Sequence, residues 1–355
     1  MKKILLLLLF AHSAFMNAQD RADRQSLDNP KSFSIIVMGD PQGYVKYDIN
    51  QPLLELTTCW IADNIEQLNI KAVLCTGDLV EQNDNITMNR RMLNQTSKEM
   101  WMSASRSFAR LDNKVPYIIS CGNHDYGMRS AEDGRTFFPD YFPFSRNSAW
   151  RNILVSDYPN REGRVSLENS AYVIEAPNWG RLLIVTTEFA PRDEVLNWAK
   201  GVISDDKYKD DKVVFMTHSF ITERDAKRTD NEPYKLTPRN WGQQVWDKLV
   251  YPMPNIDLVV CGHYGNVGDF EDAVGYREDK NAAGNTVHQM MFNVQTLGGG
   301  WEGNGGDGWI RILEFLPDGK TIHVKTYSPL FGISPTTRQY AHRKGECDDF
   351  NITIE

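Results

Sequence analysis

Five short apolar runs in this chain each break off at a turn carrying aspartate, asparagine, glutamine or histidine. The turns are Gly39-Asp40-Pro41-Gln42, Gly77-Asp78, Gly122-Asn123-His124-Asp125, Thr217-His218 and Gly262-His263. The runs before them (34–38, 72–75, 115–120, 213–216 and 258–260) are rich in β-branched residues and read as buried strands. In four of the five a glycine lets the chain turn sharply as it leaves the strand. Helical spacing over 53–68 and 97–111 separates the first three runs. Repeated strand, loop and helix units of this kind predict an α/β sheet with polar side chains delivered at strand C-termini, where open α/β proteins place their sites.

The second half is richer in strands. Runs 171–175 and 181–187 flank an Asn178-Trp179-Gly180 turn and read as a hairpin. Helices are predicted over 193–203 and 241–250, and strands over 287–294, 309–315 and 321–327, the last two joined by Leu316-Pro317-Asp318-Gly319. Two sheets packed between helices accommodate so many strands. With 355 residues, no internal repeat and no low-complexity linker, the chain reads as one domain over 32–335. A polar leader over 19–31 precedes it, and 336–355 is expected to trail as a tail.

Lys2 and Lys3, an apolar stretch from Ile4 to Met16 and the small residue Ala18 give residues 1–18 the form of a secretory signal peptide. The stretch is shorter than the ~20 residues of a spanning helix, so export to the periplasm or medium is expected and a stable membrane anchor is not. The formal net charge of −8 becomes −10 once Lys2 and Lys3 are removed, which disfavours binding of nucleic acid through a basic patch. The five cysteines show no paired spacing, and Cys75, Cys121 and Cys261 read as small buried hydrophobes.

A single Gly-Asp or Gly-His turn is ordinary turn chemistry. Five in order bring carboxylates, amides and imidazoles to neighbouring strand ends, the donor set of a dinuclear site for divalent first-row metals. The order of these motifs resembles the calcineurin-like metallophosphoesterase superfamily over roughly residues 33–265, and the trailing strands extend the likeness to about residue 330. The resemblance implies an α/β fold, a four-layer α/β/β/α sandwich of two mixed β-sheets flanked by helices. It makes Asp40 and Gln42 ligands of a first metal, Asp78 the bridge, and Asn123, His218 and His263 ligands of a second. It also makes His124 the group that protonates the leaving oxygen or steadies charge in the transition state, with Asp125 able to orient its ring.

Two positions depart from the family pattern. Gln42 stands where the first motif has histidine, and Gly265 where the last motif ends in histidine. The two ions, drawn from Mn, Fe, Zn and Mg, are therefore expected to be held unequally, the first more weakly and with a leaning to Mn²⁺ or Mg²⁺. Gln295 and Asn266 are candidates for the space left by the missing histidine. A purple acid phosphatase is disfavoured, because Gly77-Asp78 runs on to Leu79, Val80 and Glu81 without the required tyrosine.

The expected activity is hydrolysis of a small phosphomonoester or phosphodiester by a metal-bridging hydroxide, with Asp78 and His124 carrying the chemistry. The rival reading is a binding module on the same scaffold, catalytically impaired at the first metal. Arg224 and Arg228 lie in a basic loop that follows His218 and are candidates for steering an anionic substrate. Trp301 stands in a stretch, 298–308, that holds seven glycines and is expected to border the site as a mobile loop. Residues 137–150 pack aromatics and prolines, either as a cleft wall or as a loop folded on its own aromatics.

Overall fold

In the computed structural model, residues 25–88 and 92–355 are described; the segment 1–18 expected to be a signal peptide and the start of the polar leader lie outside the described residues. The strands of the first half are β1 (Phe33–Met38), β2 (Ile70–Cys75), β3 (Tyr117–Ile119), β4 (Leu154–Asp157), β5 (Ser170–Ala176), β6 (Gly180–Thr186) and β7 (Lys212–Met216). Those of the second are β8 (Ile256–Cys261), β9 (Val274–Lys280), β10 (Thr286–Phe292), β11 (Ile310–Phe315), β12 (Thr321–Tyr327), β13 (His342–Arg343) and β14 (Phe350–Thr353). They form two seven-stranded mixed sheets. The first runs β13-β12-β11-β1-β2-β3, with β14 also on β12, and the second β4-β5-β6-β7-β8-β10-β9.

Alternation along the strands decides which residues lie between the sheets. In the second sheet Leu182, Ile184, Val214, Met216, Leu258, Val260 and Phe292 join one core with Ile35, Val37, Leu74 and Leu313 of the first. Their neighbours Leu183, Val185, Val213, Phe215 and Val259 point the other way, onto Leu196, Ala199 and Ile203 of the helix Asp193–Ile203. Strands buried on both faces read as unbroken apolar runs, which is why 182–185 and 213–216 show no polar alternation. Helices Gln51–Asp63 and Ser97–Phe108 add Leu54, Ile61, Met100, Trp101 and Phe108 beside the first sheet. The result is two multi-stranded sheets flanked by helices, as expected.

Three local expectations change. Residues 336–355 do not trail: β13 and β14 both pair with β12, and Ile352 and Ile354 are buried. The first helix stops at Asp63 because Asn64 turns its side-chain amide back onto the Trp60 carbonyl at 2.7 Å. The segment 241–250 divides into a short helix, Gly242–Val245, and a wider π-helical turn, Trp246–Val250.

Strands β1, β2 and β3 are mutually parallel, as are β6, β7, β8 and β10. The C-termini of β1, β2 and β3 therefore leave the first sheet together, and those of β7 and β8 leave the second together.

Candidate metal centre

Backbone pairing fixes where each ligand turn begins. The Thr76 amide donates to the Met38 carbonyl (3.1 Å), and the Gly262 amide to the His218 carbonyl (2.9 Å). Two further bonds cross between the sheets: His218 Nδ1 donates to the Thr76 carbonyl (2.8 Å), and the His263 amide donates to Asp40 Oδ2 (2.9 Å). The first leaves His218 Nε2 facing Asp78 Oδ2 at 3.2 Å and Asn123 Oδ1 at 3.1 Å. Asp78 also accepts from the His124 amide (2.9 Å) and from Gln42 Nε2 (3.0 Å).

Close approach, more than turning, explains two of the motif glycines. A Cβ at Gly122 would lie 2.5 Å from the Asp78 amide nitrogen, and one at Gly262 2.5 Å from Thr76 Oγ1. Gly77 does turn the chain, at φ +122°, and the ligands Asp78 (φ 48°) and His263 (φ 73°) sit in the left-handed region beside it. Strain at non-glycine ligands is a mark of functional sites.

Gln42, Asp78, Asn123, His124 and His263 line a single cavity of about 230 Å³, together with Glu81, Tyr234, Gln295 and Trp301. Asp40 and His218 are buried immediately behind it, bonded to His263 and Asp78. Asp78, His218 and His263 each offer a ligand atom within 4.8 Å of the others, close enough to share a metal ion. Gln42 Oε1 is buried with no hydrogen-bond partner among the described residues, and an orphaned acceptor costs about 1–3 kcal/mol unless something satisfies it. A dication is such a partner, so the donor set fits divalent metal ions.

The electrostatics agree. Burial works to raise the Asp78 carboxyl, but His218, His124 and His263 outweigh it and hold it well below the usual carboxylate range. Burial pushes Asp40 up to about 6 against the pull of His218. Burial opposes charging of His218, yet Asp78 and Asp40 lift it to about 10. Carboxylates this crowded and this dry call for positive charge among them.

A sequence model of the calcineurin-like phosphoesterase family matches residues 33–265, the span that holds all five turns. The chain belongs to the calcineurin-like phosphoesterases. The uncharacterised protein YvnB of Bacillus subtilis (strain 168) is 27% identical over 332 residues, which cover 91% of this chain and 22% of YvnB. The chain thus spans about a fifth of the length of that relative. Among solved structures, GAP50, the anchor in the inner membrane complex of Plasmodium, aligns at 11% identity with a TM-score of 0.45, covering 91% of this chain and 89% of GAP50. A point mutant of Vps29 from Entamoeba histolytica aligns at 11% identity and a TM-score of 0.30, covering 91% of this chain and all of that one.

In this chain the predicted ligands Asp40, Gln42, Asp78, Asn123, His218 and His263 converge, and His124 stands beside them. The support for His124 differs from expectation. Its Nδ1 lies 2.7 Å from the Glu81 carbonyl, whereas Asp125 accepts from the amides of Gly122 (2.8 Å) and Val80 (3.2 Å). Asp125 thus ties two ligand loops together, and a main-chain carbonyl holds the imidazole. Burial opposes charging of His124, but Asp78 and Glu81 raise its pKa above the ordinary value.

Arg224 and Arg228 are not in the cavity lining. Arg224 pairs with Glu271 and Asp272, and Arg228 stacks over Trp246 at 3.7 Å while pairing with Asp279. Opposite charge in neighbouring elements thus absorbs the basic loop. Trp301 does line the cavity, but the stretch around it is packed rather than loose: Gly305 meets Gly43 backbone to backbone, and Asn50 Nδ2 donates to the Gly303 carbonyl at 2.7 Å. Asn266 turns outward to Glu223, whereas Gln295 lines the cavity. Residues 137–150 pack on Trp101, Phe108 and Tyr117 through Tyr141, Phe142 and Trp150, so they belong to the aromatic core.

Tyr234, in the cavity lining, and Glu232 went unread in the sequence. Glu232, buried in the loop after β7, places Oε2 2.9 Å from Nε2 of His263 and so turns Nδ1 toward His218 at 3.2 Å. A carboxylate behind a ligating imidazole fixes its orientation and raises its basicity. Among the described residues a second cluster, Asp28, Glu314 and His323, has ligand spacing, but Lys325 Nζ already bridges Asp28 (2.7 Å) and Glu314 (2.6 Å).

Proposed function

We propose that the protein is a metal-dependent phosphoesterase that hydrolyses a small phosphomonoester or phosphodiester. The observation that carries this reading is the convergence of Asp78, Asn123 and His263 with His124 on one cavity. Asp40, Gln42 and Asp78 would hold one divalent ion, and Asp78, Asn123, His218 and His263 the other. Ions bound there would polarise a phosphoryl oxygen and make water acidic enough to attack in line.

The remaining tasks fall to the chain itself. Glu81 holds His124 through Nδ1, which leaves Nε2 to deliver a proton to the departing oxygen. Thr76 and Glu232 fix the two ligating imidazoles, and Asp125 ties the turn at Gly122 to the turn at Val80. Tyr234 and Trp301 offer aromatic surface to the organic part of a substrate, and Trp301 is half exposed. Export is part of the proposal and rests on the form of residues 1–18. Among the described residues no helix is long and apolar enough to cross a membrane.

The test is hydrolysis of aryl phosphate and bis-aryl phosphate, with and without Mn²⁺, by wild type and Asp78→Asn. Metal-dependent turnover that Asp78→Asn removes is expected, and the ratio of the two esters assigns mono- or diesterase. No turnover of either ester would leave the impaired binding module as the better reading.

A further inference from the structure

Two amide side chains face the cavity with hydrogen-bonding capacity unused. Gln42 is 2% exposed and spends its Nε2 on Asp78, while its Oε1 has no partner. Gln295 is 4% exposed and lines the same cavity, and no hydrogen bond joins its side-chain amide to any described residue. A buried amide oxygen without a partner, as at Gln42, carries a desolvation cost of about 1–3 kcal/mol. That orphaned oxygen, with the unbonded amide of Gln295 on the same cavity of about 230 Å³, points to a partner that binds carbonyl oxygen.

The backbone shows why Gln295 reaches this place. The end of β10 lies against the first ligand turn: a Cβ at Gly39 would meet the Phe292 carbonyl oxygen and the Val294 nitrogen, both at 3.3 Å. Asn293 Nδ2 donates to the His263 carbonyl (3.0 Å), and Asn293 Oδ1 accepts from the Gln295 amide nitrogen (3.2 Å), which pins the start of the turn. A Cβ at Gly265 would lie 3.3 Å from the Asn293 carbonyl oxygen, so that position is crowded by the segment that carries Gln295.

We propose that Gln295 is a ligand of the first metal ion, making that half of the centre all oxygen: Asp40, Asp78, Gln42 and Gln295. The other half takes its character from the imidazoles of His218 and His263. Oxygen donors suit Mn²⁺ or Mg²⁺ and imidazole suits Zn²⁺ or Fe²⁺, so the centre holds two unlike ions, one hard and weakly bound, one softer and tight. The proposal rests on the phosphoesterase reading of the site.

The experiment is a Mn²⁺ titration of the full chain, already loaded with one equivalent of Zn²⁺, followed by the electron paramagnetic resonance signal of free Mn²⁺. Wild type, Gln295→Ala, Gln295→Glu and Trp301→Ala are compared, with circular dichroism to verify folding. Gln295→Ala should weaken Mn²⁺ binding about tenfold or more and leave the Zn²⁺ equivalent in place, in line with loss of one donor. Gln295→Glu, which supplies a charged oxygen, should restore or tighten it, and Trp301→Ala should leave it unchanged. Unchanged Mn²⁺ affinity in a folded Gln295→Ala that raises only KM would make Gln295 a substrate contact and overturn the assignment while sparing the phosphoesterase. A wild type that binds no Mn²⁺ beside Zn²⁺ would overturn it too, and wild-type turnover would then show whether the phosphoesterase reading stands.

Discussion

Gly122→Ala tests whether the site depends on close approach between ligand loops. The added Cβ would overlap Asp78 Oδ1 and lie 2.5 Å from the Asp78 amide nitrogen, against about 3.4 Å for ordinary contact, so the loops must part by about 0.9 Å. Asp78 has no room to retreat, because His218, Gln42 and the His124 amide hold it from three sides. A misplacement of ~1 Å at a reacting centre costs on the order of a hundredfold in rate, so a loss of roughly ten- to a hundredfold is expected here. That is about 1.4–2.7 kcal/mol of transition-state stabilisation. Overpacking should also lower stability by about 1–3 kcal/mol. Gly201→Ala is the control: Gly201 lies in the helix Asp193–Ile203, where a Cβ meets nothing within 4 Å. That change should leave turnover intact and add about 0.5–1 kcal/mol of stability. Steady-state hydrolysis of bis-aryl phosphate with saturating Mn²⁺, paired with urea unfolding in chelator, separates the two effects. If Gly122→Ala kept wild-type turnover and metal affinity, the claim that this glycine exists for Asp78 would fail.

Glu232→Ala should cost about 10–100-fold in affinity for the tighter metal ion, with Glu232→Asp recovering part of it; calorimetric Zn²⁺ titration reads both, and equal affinities would remove Glu232 from the site. Trp301→Ala should raise KM for aryl esters about two- to tenfold with kcat held, matching the ~0.5–1.5 kcal/mol of an aromatic pair. Burial raises Glu168 from its ordinary 4.5 to about 7, so the folded state binds its proton more tightly than the unfolded chain. Stability from that group is present below pH 4.5 and is lost as pH rises to about 7. Glu168→Gln, which keeps the site neutral, should therefore melt higher than wild type at pH 8 and not at pH 5; an equal shift at both would refute the assignment.

Much of the fold was legible because the central strands are buried on both faces. Such strands must be apolar throughout, and β7, β12 and the helix Asp193–Ile203 stand within a residue of where the pattern puts them. The missed strands are peripheral: β9 carries Arg277, Glu278, Asp279 and Lys280, and β13 has only two residues. Edge strands pair through their backbone and need no apolar signature. The candidate site residues that the fold brings together stood out because metal chemistry restricts residue type at the turns. Glu232 was not, since one carboxylate in a charged loop looks like any other until folding brings it to His263. The basic loop misled for the complementary reason: the partners of Arg224 and Arg228 lie some 50 residues downstream, out of reach of local reading.

The donors of this centre come from two separate sheets, with His218 reaching across to Thr76 and His263 to Asp40. Spacing between ligands is thus inherited from the thickness of the apolar layer between the sheets, much as the jaws of a caliper follow whatever is clamped between them. Residues such as Val214, Met216 and Phe292, which touch no substrate, set that thickness. A change of one methyl group there is a change in the reach of the metal site, so the interior of the sandwich is where selection can tune reactivity without touching a ligand.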